Sequence, residues 1–194
     1  KNISDLTGIE DFTALTDLYC DDNQLTNLDV SQNTALIILT CRFNQLTSLD
    51  VSNNTSLLLI ACQNNQLTSL DISNITTLLG LNCNNNQLTS LDVTNNPDLN
   101  TLACQNNQIS YLDLSNIETH STFASFKLYC FSNQLQSLDL RNIPLTSFET
   151  GLGPGSWFNA LNNPDLSCIY VDDVSYATAF LTSKDYTTSY VTNE

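Results

Sequence analysis

Residues 36–56 read LIILTCRFNQLTSLDVSNNTS, and residues 57–77 follow without a gap as LLLIACQNNQLTSLDISNITT. Both place a cysteine at the sixth position, Asn-Gln-Leu-Thr three residues later, and then Leu-Asp followed by a β-branched residue and Ser. Working outward, residues 15–35 (LTDLYCDDNQLTNLDVSQNTA), 78–98 (LLGLNCNNNQLTSLDVTNNPD) and 99–119 (LNTLACQNNQISYLDLSNIET) repeat the pattern, and KLYCFSNQLQSLDLRNIP resumes it after an insertion. Cys20, Cys41, Cys62, Cys83 and Cys104 stand 21 residues apart, with Cys130 26 residues further on. A unit this short cannot bury its own apolar edge. Self-similarity at such a period therefore specifies coils stacked on one another, each hiding the edge of the next.

Alternation through Leu18-Tyr19-Cys20 sends Leu18 and Cys20 inward and Tyr19 outward, as a strand requires. The cysteines then serve as small apolar residues in a tight column, and they are expected to be buried free thiols. In-register parallel neighbours point their side chains the same way, which is poor geometry for a disulfide. A metal site would call for His or a CxxC pair, and the chain has only His120. Asn23, Asn44, Asn65, Asn86, Asn107 and Asn133 form a second column, whose amides can satisfy backbone groups left unpaired where the chain turns. The second half of each unit, TxLDVSxNxxL, echoes the first, so two strand-like faces per coil are expected.

The motif LxxLxCxxNxLTxLDVSxNxx is that of a leucine-rich repeat. Over residues 15–143 it resembles the 21-residue bacterial class called IRREKO, whose motif is LxxLxLxxNxLxxLDLxxNxx. The flanks DLTGIEDFTALTDL and NNPDLSCIYVDDVSYATAF are similar to those of secreted repeat proteins of the Bacteroidetes type. The resemblance implies a leucine-rich-repeat solenoid of β-rich, right-handed coils, with short parallel strands, little helix and a cap at each end. It also implies a secreted or cell-surface setting. Proteins of this type often close the C-terminal cap with a cysteine beyond the one equivalent to Cys168, and none follows Cys168 here. A single domain over residues 1–194 is expected. Residues 1–14 form the N-cap, with Leu6, Ile9 and Phe12 covering the first coil; residues 15–143 are the repeats. Residues 144–194 are the final coil and cap, entered through the Gly151–Gly155 loop. Stacked strands rise about 4.8 Å per coil, giving a rod about 30 Å long before its caps.

Five Lys and Arg against 20 Asp and Glu leave a net charge of −15. Nucleic-acid affinity comes from Lys and Arg displacing counterions, so nucleic acid is excluded as a partner, as are anionic membranes. No apolar run approaches the roughly 18 residues of a membrane span, so membrane insertion is not expected. The chain opens Lys1-Asn2-Ile3-Ser4 without Met or an apolar leader, which is what removal of a signal or trimming would leave.

With the core columns assigned, function falls to outward positions that change from coil to coil. Tyr19, Arg42, Phe43, Gln63, Asn82, Gln105, Tyr129 and Phe131 mix aromatic, charged and amide side chains around the Leu-x-Cys strands, a composition suited to a protein or glycan ligand. Insertions in solenoids map to one rim, so the 117–126 loop and its His120 join these candidates. Trp157 is either a further contact or a plug in the C-terminal cap. The second face carries Asp29, Asp50, Asp71, Asp92, Asp113 and Asp139 in one row. These carboxylates either accept backbone N–H bonds in their own turns or bridge through Ca²⁺. No catalytic motif and no cofactor site is present, and carboxylates that recur in every coil are unlike the unique constellation an active site needs. The reading is a non-catalytic extracellular binding or adhesion module acting through its strand face. The alternatives are a rigid spacer in a larger surface protein, or an ice or mineral binder using the Asp row and the row of Thr26, Thr47, Thr68 and Thr89. Self-association through the end coils is a further expectation.

Overall fold

A computed structural model describes residues 1–117, 126–143, 158–181, 183–185 and 187–192. Eleven short strands follow one another along these residues. They are β1 (Asp17–Tyr19), β2 (Ile38–Thr40), β3 (Leu59–Ala61), β4 (Gly80–Asn82), β5 (Thr101–Ala103), β6 (Tyr111–Asp113), β7 (Lys127–Tyr129), β8 (Ser137–Asp139), β9 (Phe158–Asn159), β10 (Cys168–Tyr170) and β11 (Ser189–Val191). One seven-stranded parallel sheet runs β1-β2-β3-β4-β5-β7-β9, and a four-stranded parallel sheet runs β11-β10-β8-β6. The register follows the repeat: Leu18 lies opposite Leu39, Leu39 opposite Ile60, Ile60 opposite Leu81, and Leu102 opposite Leu128.

The core is a set of stacked rows. Leu39, Ile60, Leu81, Leu102 and Leu128 form one fully buried row, Cys41, Cys62, Cys83, Cys104 and Cys130 a second, and Leu25, Leu46, Leu67, Leu88 and Leu135 a third. Phe126, also buried, resumes the core after the insertion. Each buried side chain contributes on the order of 1.5–3 kcal/mol, but only because its neighbours above and below exclude water. All seven cysteines are free thiols, and the six of the column are buried as expected.

The first asparagine column works as a ladder between coils. Asn44 donates from Nδ2 to the carbonyls of Cys20 (3.0 Å) and Cys41 (2.9 Å), while its Oδ1 accepts the Leu25 N–H at 3.0 Å. Asn65, Asn86, Asn107 and Asn133 repeat this pattern. Asn163 extends it into a coil that carries Ala160 where the others carry Cys. Just before each ladder asparagine the chain takes a left-handed residue: Asp22, Phe43, Asn64, Asn85, Asn106, Ser132 and Asn162, with φ between 51° and 57°. A second column, at the last Asn of the repeat motif, consists of Asn33, Asn54 and Asn96, with Ile75 and Ile117 at the equivalent positions of two other coils. Asn54 donates to the carbonyls of Val30 and Asn33, and Asn96 to those of Ile72 and Ile75.

The expected second strand face is realised only in part. Its sheet begins at β6, and the Leu-Asp segments of the four preceding coils are not strands. The first residue of the segment is Asn27, Ser48, Ser69 or Ser90 in those coils and Tyr111 in β6, but β8 begins with Ser137, so this residue alone does not decide strand formation.

At the N-terminal end, Leu6, Ile9 and Leu15 pack on the core, and Gln24 N–H reaches the Ile3 carbonyl at 2.8 Å. Phe12 departs from expectation: it is 62% exposed, and what it gives the first coil is its backbone carbonyl, which accepts Asn33 Nδ2 at 2.9 Å. At the other end the Asp185 carboxylate accepts the amides of Asn162 and Asn163, at 3.1 and 2.8 Å, whereas the equivalent amides of Asp22 and Asn23 donate to carbonyls of the next coil. The one α-helix among the described residues, α1 (Val174–Phe180), starts at Asp173, whose side chain accepts the Tyr176 N–H.

Candidate functional site

The outward face of the seven-stranded sheet presents the candidate residues in parallel rows, because equivalent positions lie in register. Tyr19 stands 65% exposed at the first coil, and Arg42 and Phe43 follow, both exposed, on the second. Asp21 ties the two coils together. Its Oδ1 accepts the Arg42 N–H, its Oδ2 accepts the Thr40 hydroxyl at 3.0 Å, and the Arg42 guanidinium lies 3.1 Å away. Arg42 is thus anchored beside Phe43. Its exposed pairing is worth at most about 1 kcal/mol, so its role is better sought in contact than in stability.

Phe43 is the sharpest departure from the repeat. Its φ is 53°, in a column otherwise filled by Asn, Asp and Ser, whose short polar side chains suit a left-handed residue. A phenylalanine there has no such compensation and costs roughly 1–2 kcal/mol. It is nevertheless about half exposed, so no core packing offsets the strain. Strain retained by an exposed aromatic side chain is a mark of function.

The coil of Phe43 and the next also expose apolar side chains at the other end of their strands. Ile37, Leu58 and Leu59 are each 37–38% exposed, with Ile38 and Leu79 half-buried beside them. Gly80 forms the floor: a Cβ there would sit 2.9 Å from Leu59 Cδ1, so Leu59 leans over the neighbouring strand into the space that the glycine leaves. The signal was present in the runs LIIL, LLLI and LLGL, where apolar residues occupy outward positions of a strand that elsewhere alternates.

Toward the middle of the sheet the face becomes amide-rich. Gln63 is buried, Asn82 and Gln105 are half-buried, and Asn84 donates to Asn82 Oδ1. The Oε1 atoms of Gln63 and Gln105 are buried with no hydrogen-bond partner in the structure. Tyr129 and Phe131 are half-buried at the far end. His120 and Trp157 lie outside the described residues. The structure therefore groups Tyr19, Arg42 and Phe43 on the coils that also expose the apolar side chains, and separates them from Tyr129 and Phe131 by the amide zone.

On the opposite face each aspartate of the row turns back on its own chain. Oδ1 of Asp29, Asp50, Asp71, Asp92 and Asp113 accepts the N–H two residues on at 2.9 Å. The Ser31 and Ser73 N–H groups hold the Asp29 and Asp71 carboxyls below the usual carboxylate range, and the Ser52 and Thr94 hydroxyls do the same for Asp50 and Asp92. Among the described residues no group of three or more His, Cys, Asp or Glu is placed to hold a metal ion. Burial pushes the thiols of Cys20, Cys62 and Cys104 up to about 12 and raises those of Cys41, Cys83 and Cys130, so the column carries no thiolate at neutral pH. No helix among the described residues is long and apolar enough to cross a membrane.

Known structures share this coil stack. The functional domain of InlJ from Listeria monocytogenes, described as including a cysteine ladder, is 31% identical, with a TM-score of 0.52 over 89% of this chain and 43% of that one. An internalin (InlF) of the same bacterium is 23% identical, with a TM-score of 0.64 over all of this chain and 52% of that one. A leucine-rich-repeat protein of Leptospira interrogans is 20% identical, with a TM-score of 0.63 over 97% of this chain and 47% of that one. The chain thus spans about half the length of the structures it matches. No protein-family model matches it, and neither does any curated protein. The fold is that of a leucine-rich-repeat solenoid, and its structural neighbours are bacterial leucine-rich-repeat proteins.

Proposed function

We propose that the chain is a non-catalytic recognition or adhesion module of a secreted or cell-surface bacterial protein of the IRREKO-like, Bacteroidetes type, and that it binds a protein ligand through the outward face of the seven-stranded sheet. The observation that carries this reading is the set of exposed side chains Ile37, Leu58 and Leu59 on the same first three coils as the exposed Tyr19 and the strained Phe43. Large apolar side chains exposed together on one face mark a contact site, and aromatic and Arg side chains on that face are the usual anchors. Asp17, Asp21 and Asp22 lie on the first coil, which favours a partner with a basic rim. Support also comes from InlJ and InlF, since internalins are bacterial repeat proteins with the same coil stack. The amide zone of Gln63, Asn82 and Gln105 offers hydrogen-bonding groups to a glycan, the second ligand class, and the orphaned Gln63 Oε1 favours it.

A screen against surface proteins and a glycan array, with and without Ca²⁺, tests the proposal. A protein ligand should bind the wild type and lose affinity at least about tenfold to Leu58→Asp/Leu59→Asp, a change that leaves the buried rows intact. Binding that ignores this variant would contradict the strand-face site, and no binding under either condition would favour the rigid-spacer reading instead.

A further inference from the structure

The middle of the seven-stranded sheet differs from its ends. Residues 59–64, 80–85 and 101–106, the strands and following turns of three successive coils, contain no charged side chain, in a chain of net charge −15. They carry instead a connected set of amides. Asn106 Nδ2 donates to Asn85 Oδ1 at 2.7 Å, Asn85 Nδ2 to Asn84 Oδ1 at 2.7 Å, and Asn84 Nδ2 to Asn82 Oδ1. We propose that this region is a subsite for a neutral oligosaccharide lying along the stack. It rests on the reading of the strand face as the recognition surface, and it takes a ligand class of its own beside the protein proposed above.

The four asparagines are held in place before anything binds, so little side-chain freedom is lost on binding. Each amide nitrogen has two N–H groups, and the chain of bonds uses one from each of Asn84, Asn85 and Asn106. The array can therefore donate as well as accept, as sugar hydroxyls do. Gln63 and Gln105 stand one coil to either side of Asn84 at the equivalent position, and their Oε1 atoms are buried with no partner, although Gln63 is only 8% exposed. The orphaned oxygens of Asn33, Asn54 and Asn96 belong to amides whose nitrogens hold the backbone. Those of Gln63 and Gln105 sit at outward positions, where rotation of the terminal amide presents them to a ligand hydroxyl that supplies the missing bond.

Ala61 and Ala103 lie in register on either side of Asn82, and the half-buried Tyr129 follows Ala103. These small side chains leave room for a pyranose, whose apolar C–H face suits alanine methyls and a tyrosine ring. An ion would find no counter-charge here. An extended peptide would need an unpaired strand edge, and β3, β4 and β5 are paired on both sides. Successive coils rise about 4.8 Å, close to the length of one residue of a β-1,4-linked sugar chain, so consecutive sugars meet equivalent positions.

Amide-resolved NMR of the full chain tests this with cellotetraose, mannotetraose and xylotetraose, with β-1,4-tetraglucuronate as the charged comparison and acetyl-tetra-alanine methylamide as the peptide. Saturable shifts at residues 61–64, 82–85, 103–106 and 129 are expected for at least one neutral sugar and for neither comparison. Affinity should fall about fivefold in Gln63→Leu, which removes an orphaned amide without breaking a side-chain bond, and in Asn82→Ala, which removes the end of the chain. Unchanged amide positions on the opposite face show that both variants are folded. The proposal is overturned if no neutral sugar shifts these amides, if the peptide or the glucuronate binds there as tightly, or if neither variant weakens binding. Should the sugars fail while a protein ligand is still lost in Leu58→Asp/Leu59→Asp, the subsite falls and the strand-face reading stands.

Discussion

The two asparagine columns are built from the same residue in the same solenoid, yet only one is complete. In the first, Asn44, Asn65, Asn86, Asn107 and Asn133 use the side-chain oxygen and nitrogen together, each joining its own coil to the one before it. In the second, Asn33, Asn54 and Asn96 donate from Nδ2, but their Oδ1 atoms are buried without a partner, and Ile75 and Ile117 occupy the same position in other coils. An amide is retained in every coil where both of its halves are used. Where half of it is idle, an apolar residue of similar size replaces it, because a buried unpaired oxygen costs about what the remaining hydrogen bonds return.

The largest effect should follow from breaking the first column in mid-stack. Asn86→Leu strands the Leu67 N–H and removes one of the two amide donors from each of the Cys62 and Cys83 carbonyls, which keep Asn65 and Asn107, and should cost about 3 kcal/mol in chemical denaturation. A thiol reagent should show the same opening. In the wild type only the half-buried Cys168 should react readily, whereas in Asn86→Leu the Cys62 and Cys83 thiols should become reactive under native conditions. The second column should behave differently. Asn54→Ile copies Ile75, removes an orphaned oxygen along with two hydrogen bonds, and should change stability by less than about 1 kcal/mol. A large loss there would break the comparison.

The aspartate row gives the smallest effect per residue. Its turns hold the Asp29, Asp50, Asp71 and Asp92 carboxyls below their unfolded values, so the folded chain binds fewer protons than the unfolded one in that range. The stability they add is therefore present above the ordinary carboxylate pKa of about 3.9 and is lost as pH falls through the lower folded values. Melting temperature should decline below about pH 4, and replacing Asp50 and Asp71 by Asn, which keeps the turn but cannot titrate, should flatten that decline.

Much of this organisation was legible in the sequence, and the boundary has physical causes. The inward rows, the thiol column and the first asparagine ladder could be read because each coil buries the same positions in the same way. The second column is marked by the last Asn of the repeat motif, but its role could not be read there, since Ile75 and Ile117 interrupt it and nothing in the sequence says which backbone groups the amides meet. The left-handed position was hidden for another reason: Asp22, Asn64 and Ser132 share only a short polar side chain, which ordinary turns also favour, and Phe43 breaks even that likeness. The second sheet starts only at β6 although Leu-Asp recurs in every coil, so the repeat motif by itself does not show where pairing begins. On the strand face, Tyr19, Arg42 and Phe43 emerge exposed, but the exposure of Ile37, Leu58 and Leu59 becomes visible only once neighbouring coils are in register.

What unites these observations is the division of the molecule into positions that keep the repeat for folding and positions that leave it for recognition. Phe43→Asn tests that division most directly, because it restores the residue type of the other coils at a strained and exposed site. Melting temperature and affinity for the ligand retained by the wild type should be measured on the same sample. The account predicts a melting temperature higher by about 2–4 °C, from relief of roughly 1 kcal/mol of strain, together with weakened binding. A variant that binds as tightly as the wild type, or that melts at a lower temperature, would contradict it.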